Sequence, residues 1–141
     1  MSTEHDPVHT YLVSRGCSPL VVRRGLGGLL EHWASIVAAT ERGRDASLDE
    51  WLNDMDLRDI LAGALAAASP RERSAAAVRL DEADTRFHGI TQPCLCLWGD
   101  EIAHTNQWRA EWQWWYYRRP TLPGPTLRED LLVHGFLRVE P

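Results

Sequence analysis

The chain has 141 residues and a net charge of −5 at pH 7, with 44% hydrophobic and 25% charged residues. This composition is typical of a globular protein, and the length leaves little room for two domains. No apolar run approaches the ~18 residues that span a bilayer. The acidic balance disfavours a nucleic-acid binder, which needs a basic face. All fifteen basic residues are arginine, which excludes chemistry that depends on a lysine amine.

The cellular location is predicted from the N-terminus and the cysteines. Residues Met1 to Pro7 are polar and lack the basic start and apolar stretch of a secretory signal. The three cysteines, Cys17, Cys94 and Cys96, are an odd number, which favours reduced thiols over a disulfide framework. We therefore expect a cytoplasmic protein that has no membrane partner.

Two parts of the chain differ in character. Residues 1–16 predict a tail or loosely ordered arm, within which Val8 to Val13 could add a short edge strand. Residues 17–141 contain the helical patterns described below and predict a single helical domain.

The first helix is predicted to begin at Ser18, a favourable N-cap, with Pro19 at the first helical position, where its missing N–H costs nothing. Gly25, Gly27 and Gly28 interrupt the pattern at a cost of up to ~1 kcal/mol each relative to alanine. A close helix crossing at these glycines would explain them. Apolar residues at helical spacing predict one buried face, made of Val22, Leu26, Leu29, Trp33 and Ile36.

Capping boxes predict the next two helices. Ser47 to Glu50 begins the second helix, and Ser69 to Glu72 begins the third, which is closed by Gly89 and Pro93. The apolar stripe of the second helix shifts near Asp54 to Asp56, so we expect a break or kink there. The predicted core consists of Leu26, Leu29, Trp33, Ile36, Leu52, Leu61, Leu65, Leu80 and Phe87.

The pattern changes after the third helix. Cys94 to Trp98 and Trp112 to Tyr117 are predicted to be extended, with a short helix within Asp100 to Trp108 between them. Thr126 to Glu129 predicts a further capping box and a final helix that ends at Gly135. The fold class expected from these elements is mainly α: a compact bundle of about four to five helices, with a small strand pairing in the C-terminal third.

Several sequence blocks carry a resemblance. They are Gly25-Leu26-Gly27-Gly28-Leu29 continuing to Trp33, the run from Ser47 to Arg58, Cys96-Leu97-Trp98-Gly99, and Glu111 to Pro120. On these blocks, residues 20–120 resemble an uncharacterised family of bacterial proteins with no assigned function. The resemblance implies a compact bacterial domain and no particular chemistry, and the segment beyond Pro120 lies outside it.

Acidic residues dominate the stretch from Asp45 to Asp59, where Arg58 is the one basic residue. One hypothesis is a docking face for a basic partner, or a carboxylate pair such as Asp54 and Asp56 that performs acid–base work. We favour the alternative that these residues cap helices, because carboxylates stabilise free N–H groups in the first helical turn.

Two groups of residues are candidate metal sites. Glu101 and His104 form a Glu-x-x-His pair, but di-iron bundles need a second copy and two further carboxylates. Cys94, Cys96, His88 and His104 could hold zinc, yet Cys-x-Cys is not the usual spacing and no second thiol pair occurs. We therefore predict no metal and no cofactor, and expect the cysteines to act as small hydrophobic residues.

The segment from Trp108 to Arg119 is unusually aromatic. If it is a strand, alternate side chains face opposite ways, so one face can fill the core while the other covers a second element or a partner. Large aromatic residues most often fill cores, but tryptophan, tyrosine and arginine also dominate interface hot spots. The residues predicted to bind a partner, most simply a second copy in a homodimer, are Trp112, Trp114, Trp115, Tyr117, Arg118 and Arg119.

Two functions follow from these patterns. The first is a small interaction protein of the regulatory, adaptor or immunity type, without catalytic activity, that binds a protein partner or itself. The alternative is an enzyme that uses a carboxylate and histidine pair in a cleft, with Glu101 and His104 beside Asp54 or Asp56. A pocket of converging acids would favour the enzyme, whereas an exposed aromatic patch would favour the interaction protein.

Overall fold

A computed structural model describes residues 6–137, and within them it confirms a mainly α fold with a small strand pairing in the C-terminal third. Strands β1 (Thr91–Pro93) and β2 (Arg118–Pro120) pair antiparallel, with Gln92 opposite Arg119. The elements are α1 Pro7–Ser14, α2 Pro19–Glu41, α3 Leu48–Ala67, α4 Pro70–Ile90, β1 Thr91–Pro93, α5 Asp100–Thr105, β2 Arg118–Pro120 and α6 Pro125–Val133.

The three long helices begin where their caps predict. The Ser18 side chain accepts a hydrogen bond from the amide of Val21 at the start of α2. Both predicted capping boxes are present, Ser47 with Glu50 at α3 and Ser69 with Glu72 at α4. Each box satisfies two backbone donors that the helix itself leaves free.

Helix α2 packs against both α3 and α4, and α1 lies against α2 and α3. Phe87 of α4 is at the centre, where its ring contacts Trp33 and Trp51 at centroid distances of 5.0 and 5.8 Å. The buried members of the predicted core are Leu29, Trp33, Ile36, Leu52, Leu61 and Phe87, whereas Leu26, Leu65 and Leu80 are half-buried beside them.

Helix α1 contradicts the prediction of a loose arm and of an edge strand over Val8 to Val13. Asp6 caps the helix by accepting hydrogen bonds from the amides of Val8 and His9. The side chains of Val8 and Leu12 are buried in the core. The rest of the predicted arm, residues 1–5, lies outside the described residues, as do residues 138–141 of the predicted domain.

Helix α2 contains one backbone irregularity. Gly25 has φ 61° and ψ −150°, which kinks the helix and is a conformation open to glycine alone. The side chains that α2 buries follow this kink, from Leu29 to Val37. No helix within residues 6–137 is long and apolar enough to cross a membrane.

Helices α3 and α6 each differ from the prediction. Helix α3 continues without a break through Asp54 to Asp56. Helix α6 has no capping box, because Asp45 replaces it and accepts a hydrogen bond from the amide of Thr126 at 3.1 Å. In return, Asp130 of α6 accepts one from the amide of Leu48, the first residue of α3, at 2.8 Å. The two helix starts are therefore capped by each other's segments.

The strand pairing forms beside the predicted segments and not within them. Cys94 to Trp98 is irregular chain, and Trp114–Tyr117 is a single 3-10 turn in place of a strand. The turn packs against α3, and Trp115 and Tyr116, which are neighbours in the chain, are both buried. The predicted alternation of faces along this segment is therefore wrong.

Candidate functional site

The predicted contact segment is divided between core and surface. Trp115 and Tyr116 are buried, Trp114 and Tyr117 are half-buried, and Trp112 alone among these is open, at 69% exposure. The ring of Trp114 packs 5.9 Å from that of Phe87. Trp115 is thus corrected from a contact residue to a core residue, because the 3-10 turn aims it inward.

The two arginines of this segment are held within the chain. The guanidinium of Arg118 donates to the hydroxyl and carbonyl of Thr91, at 2.8 and 3.0 Å, and to the carbonyl of His88. Arg119 donates to the carbonyl of Pro120 at 3.0 Å. Both side chains are half-buried. Arg118 therefore ties the 3-10 segment to the end of α4, which leaves little of it free for a partner.

The sequence patterns indicate no role for Arg58. Arg58 is nevertheless the one buried charged residue of the described core. Its guanidinium carbon lies 4.8 Å from the ring centroid of Trp115 and 5.2 Å from that of Trp114, distances at which a cation is attracted to an aromatic face. The spacing contains the signal for its burial, because Arg58 lies three residues from Met55 and from Leu61, which are both fully buried.

Asp84 of α4 neutralises this arginine. Arg58 donates from Nε and Nη2 to the two carboxylate oxygens of Asp84, at 3.1 and 2.9 Å. Oδ1 of Asp84 also accepts from the indole N–H of Trp33 at 2.9 Å. A paired fork of this kind is both strong and specific in geometry. The group of Trp33, Arg58 and Asp84 joins α2, α3 and α4, so its role in the described structure is structural.

The acidic stretch is used mostly inside the molecule, as capping and pairing predict. Arg44 lies 3.6 Å from Asp54, and Arg15 lies 3.2 Å from Asp59. The phenol of Tyr116 donates to Asp56 at 2.6 Å. With Asp45 and Glu50 serving as caps, five of the six carboxylates between residues 45 and 59 have a partner. An acidic docking face is therefore not supported.

Burial shifts the titration of several of these groups. It raises the pKa of Asp59, against the opposing effect of Arg15, and raises the pKa of Asp54, against the opposing effect of Arg44. The pKa of Tyr116 is raised strongly, first by burial and then by its hydrogen bond to Asp56. The phenol therefore stays protonated and remains a donor at neutral pH.

The four residues of the enzyme hypothesis have separate environments. Glu101 and His104 are exposed on α5, while Asp54 and Asp56 of α3 are half-buried and held by Arg44 and Tyr116. Among the described residues, no hydrogen bond or ion pair joins Glu101 or His104 to either aspartate. The structure thus does not assemble them as a proton-transfer set.

Cys94 and Cys96 are half-buried and buried, and the candidate metal ligands are not brought together in the described structure. Burial raises the pKa of Cys94 to about 11 and also raises that of Cys96, so neither thiol ionises readily at neutral pH. Within residues 6–137, no group of three or more histidine, cysteine or acidic side chains is placed to hold a metal ion.

Three of the exposed apolar side chains lie on the segment between β1 and the 3-10 turn. Leu95 is 68% exposed, Ile102 is 40% exposed and Trp112 is 69% exposed, and we call these three the Trp112 surface. The backbone that carries them is tied together, since Cys94 and Leu97 donate to the carbonyls of Tyr117 and Tyr116. A fixed backbone that exposes large apolar groups is typical of an interaction site.

Comparison with protein-family models, with curated proteins and with solved structures found no match to this chain. The functional argument therefore depends on the geometry described above.

Proposed function

We propose that this protein is a small interaction protein of the regulatory, adaptor or immunity type, located in the bacterial cytoplasm and without catalytic activity of its own. The observation that carries the proposal is the exposed indole of Trp112. Every other tryptophan of the described chain is buried or half-buried. Tryptophan, with tyrosine and arginine, is enriched among the residues that contribute most of the binding energy of protein interfaces.

The form of the Trp112 surface favours a protein partner over the other classes. Its three named side chains are apolar, and the nearby Arg118 is occupied by Thr91. A nucleic-acid site needs free cations along a groove, and a catalytic cleft needs converging titratable groups. Arg109, whose carbonyl accepts a hydrogen bond from the amide of Trp112, is one exposed cation and does not form such a row. None of the three residues of the Trp112 surface is titratable, and exposed apolar side chains among polar residues suit a protein interface.

The experiment compares capture of partners from the native host by immobilised wild-type and variant proteins. Trp112→Ala should lose a partner that the wild type retains, and that partner should then bind the purified wild type directly. Leu122→Ala is the matched control, because Leu122 is 88% exposed but lies outside the Trp112 surface. Equal binding of the purified partner to wild type and Trp112→Ala would contradict the proposal.

A further inference from the structure

The three segments that carry the Trp112 surface are joined by hydrogen bonds at Trp108 and Tyr117. Trp108 lies four residues before Trp112, and its amide donates to the carbonyl of Ala103 in α5 at 2.9 Å. The hydroxyl of Tyr117 donates to the carbonyl of Trp108 at 3.3 Å, and the carbonyl of Tyr117 accepts from the amide of Cys94 at 2.8 Å. The surface is therefore built on one connected backbone frame.

Acidic side chains predominate on this frame between β1 and the 3-10 turn. Asp100 and Glu101 are the first two residues of α5, and Glu111 directly precedes the exposed tryptophan. Arg109 is the one arginine there, so three carboxylates and one guanidinium give a net charge of −2 when histidine is neutral. All four residues are exposed, and within the described part of the chain none of them forms an ion pair. This charge is therefore available to a partner.

Two of these carboxylates act on the same group, the phenol of Tyr117. Burial and then Cys96 raise the pKa of Tyr117, and the charges of Asp100 and Glu111 raise it further. The effect of a charge falls with distance, so both carboxylates lie near the point where Tyr117 and Trp108 join the frame. Glu111 lies in a turn, so its charge is not explained by a helix start, where carboxylates are ordinarily placed.

Two arginines of β2 also lie close to this frame. Arg118 and Arg119 act on the thiol of Cys94, where they oppose the effect of burial on its pKa. Both are half-buried, and both donate to backbone carbonyls. Their N–H groups are thus partly used within the chain, whereas no described side chain pairs with Glu111 beside Trp112. A partner that covers Trp112 therefore meets more free negative charge than positive charge.

From these observations we infer that the partner of the Trp112 surface presents a basic amphipathic protein segment. Its apolar side chains cover the three exposed residues, and its lysine or arginine side chains face Asp100, Glu101 and Glu111. Complementary charges of this kind steer association and disfavour acidic competitors. An apolar centre with a polar rim is also the ordinary arrangement of a protein interface. The inference rests on the proposed function, because it uses the same site, and it adds the chemical character of the partner.

Two synthetic peptides of about 14 residues, or about four helical turns, test the inference. One is an amphipathic helix of leucine and lysine, and in the other glutamate replaces every lysine. Fluorescence anisotropy of the labelled peptides at about 0.15 M salt, where only nearby charges act, gives their dissociation constants for the purified protein. The wild type should bind the leucine–lysine peptide at least about tenfold more tightly than the leucine–glutamate peptide. Trp112→Ala should weaken binding of the leucine–lysine peptide at least about tenfold, whereas Leu122→Ala should bind it as the wild type does.

Charge reversals test the acidic side chains directly. Asp100→Arg with Glu111→Arg should raise the dissociation constant of the leucine–lysine peptide at least about tenfold and lower that of the leucine–glutamate peptide. Asp81→Arg with Glu129→Arg, at exposed positions of α4 and α6, makes the same change in net charge and should behave as wild type. Equal affinity for the two peptides, binding of neither, or equal weakening by both double variants would each overturn the inference. If the captured partner still depends on Trp112, the proposed function then stands without this charge preference.

Discussion

The phenolic oxygen of Tyr116 lies 2.6 Å from Oδ1 of Asp56, and the two residues come from segments 60 positions apart in the chain. The tyrosine is buried, and the indole of Trp108 stacks on its ring at a centroid distance of 4.2 Å. The hydrogen bond therefore fixes the C-terminal aromatic turn onto the middle of α3, at a place with little access to water.

Tyr116→Phe should lower the free energy of unfolding by about 1.5–3 kcal/mol, because a hydrogen bond to a charged group is lost and a half-buried carboxylate is left without its donor. Urea denaturation measures the change. Tyr117→Phe is the matched control, since that hydroxyl donates to a backbone carbonyl at 3.3 Å, and its loss should cost less than about 1 kcal/mol. Equal losses for the two variants would contradict this assignment.

Stability should fall as the pH rises above about 9, first because burial raises the pKa of Cys94 to about 11, and more steeply above about 10 because of the tyrosines. Burial raises the pKa of Tyr11, Tyr116 and Tyr117 above the ordinary value. The folded protein therefore holds these phenolic protons at a pH where the unfolded chain has released them. Their contribution to the free energy of unfolding is complete below the unfolded pKa and is lost as the pH rises from there through the folded pKa. Urea melts from pH 8 upward should show the decline, and Tyr116→Phe should make it shallower. A stability that is flat across this range would exclude the effect.

Removal of Asp84 and removal of Arg58 should lower the free energy of unfolding by different amounts. Asp84→Leu leaves a buried guanidinium without its counter-ion and should cost about 3–5 kcal/mol. Arg58→Leu should cost less, because the side chain of Asp84 retains 19% exposure against 6% for Arg58 and keeps the indole of Trp33.

The double variant of this pair should cost less than the sum of the single changes, since it leaves no unpaired charge. Thermal or urea unfolding of wild type, the two single variants and the double variant gives the interaction energy between the two side chains. Additive losses would mean that the two side chains do not interact energetically.

Gly25→Ala should destabilise the protein by about 1–3 kcal/mol, because a Cβ is strained at φ 61° and ψ −150°. Gly27→Ala is the control two residues away. It lies in α2, and an added Cβ would meet nothing within 4 Å, so alanine should be neutral or stabilising by up to about 1 kcal/mol. If both variants melt at the same temperature, Gly25 is not held in this conformation in solution.

Features that depend on neighbours in sequence were predictable. The starts of α3 and α4 follow from serine and glutamate three residues apart, which act within one helical turn. The same local logic applies to α1, where Asp6 precedes Pro7 just as Ser18 precedes Pro19. That signal is present in the sequence, but a segment of eight residues is too short for its apolar spacing to distinguish a helix from a strand.

Features that depend on distant partners were not predictable. The cap of α6 comes from Asp45, 81 positions before the amide that it binds. In the segment from Trp114 to Tyr117 every side chain is aromatic, so no alternation with polar residues indicates which ones face inward. For the candidate site, the exposure of Trp112 follows only from the path of the 3-10 turn beside it, which local preferences do not determine.

The exchange of caps between Asp45 and Asp130 makes α6 part of the same cooperative unit as α3. Hydrogen bonds from Thr126 and Leu127 hold the pKa of Asp45 below its ordinary value. The capping of α6 by Asp45 therefore weakens when acid protonates this carboxylate. A chain that stopped at Pro120 would lose the contacts of both Asp45 and Asp130. The amide of Leu48 would then exchange its hydrogen with solvent faster than in the full chain. Helix α6 therefore stabilises the start of α3, one of the central helices.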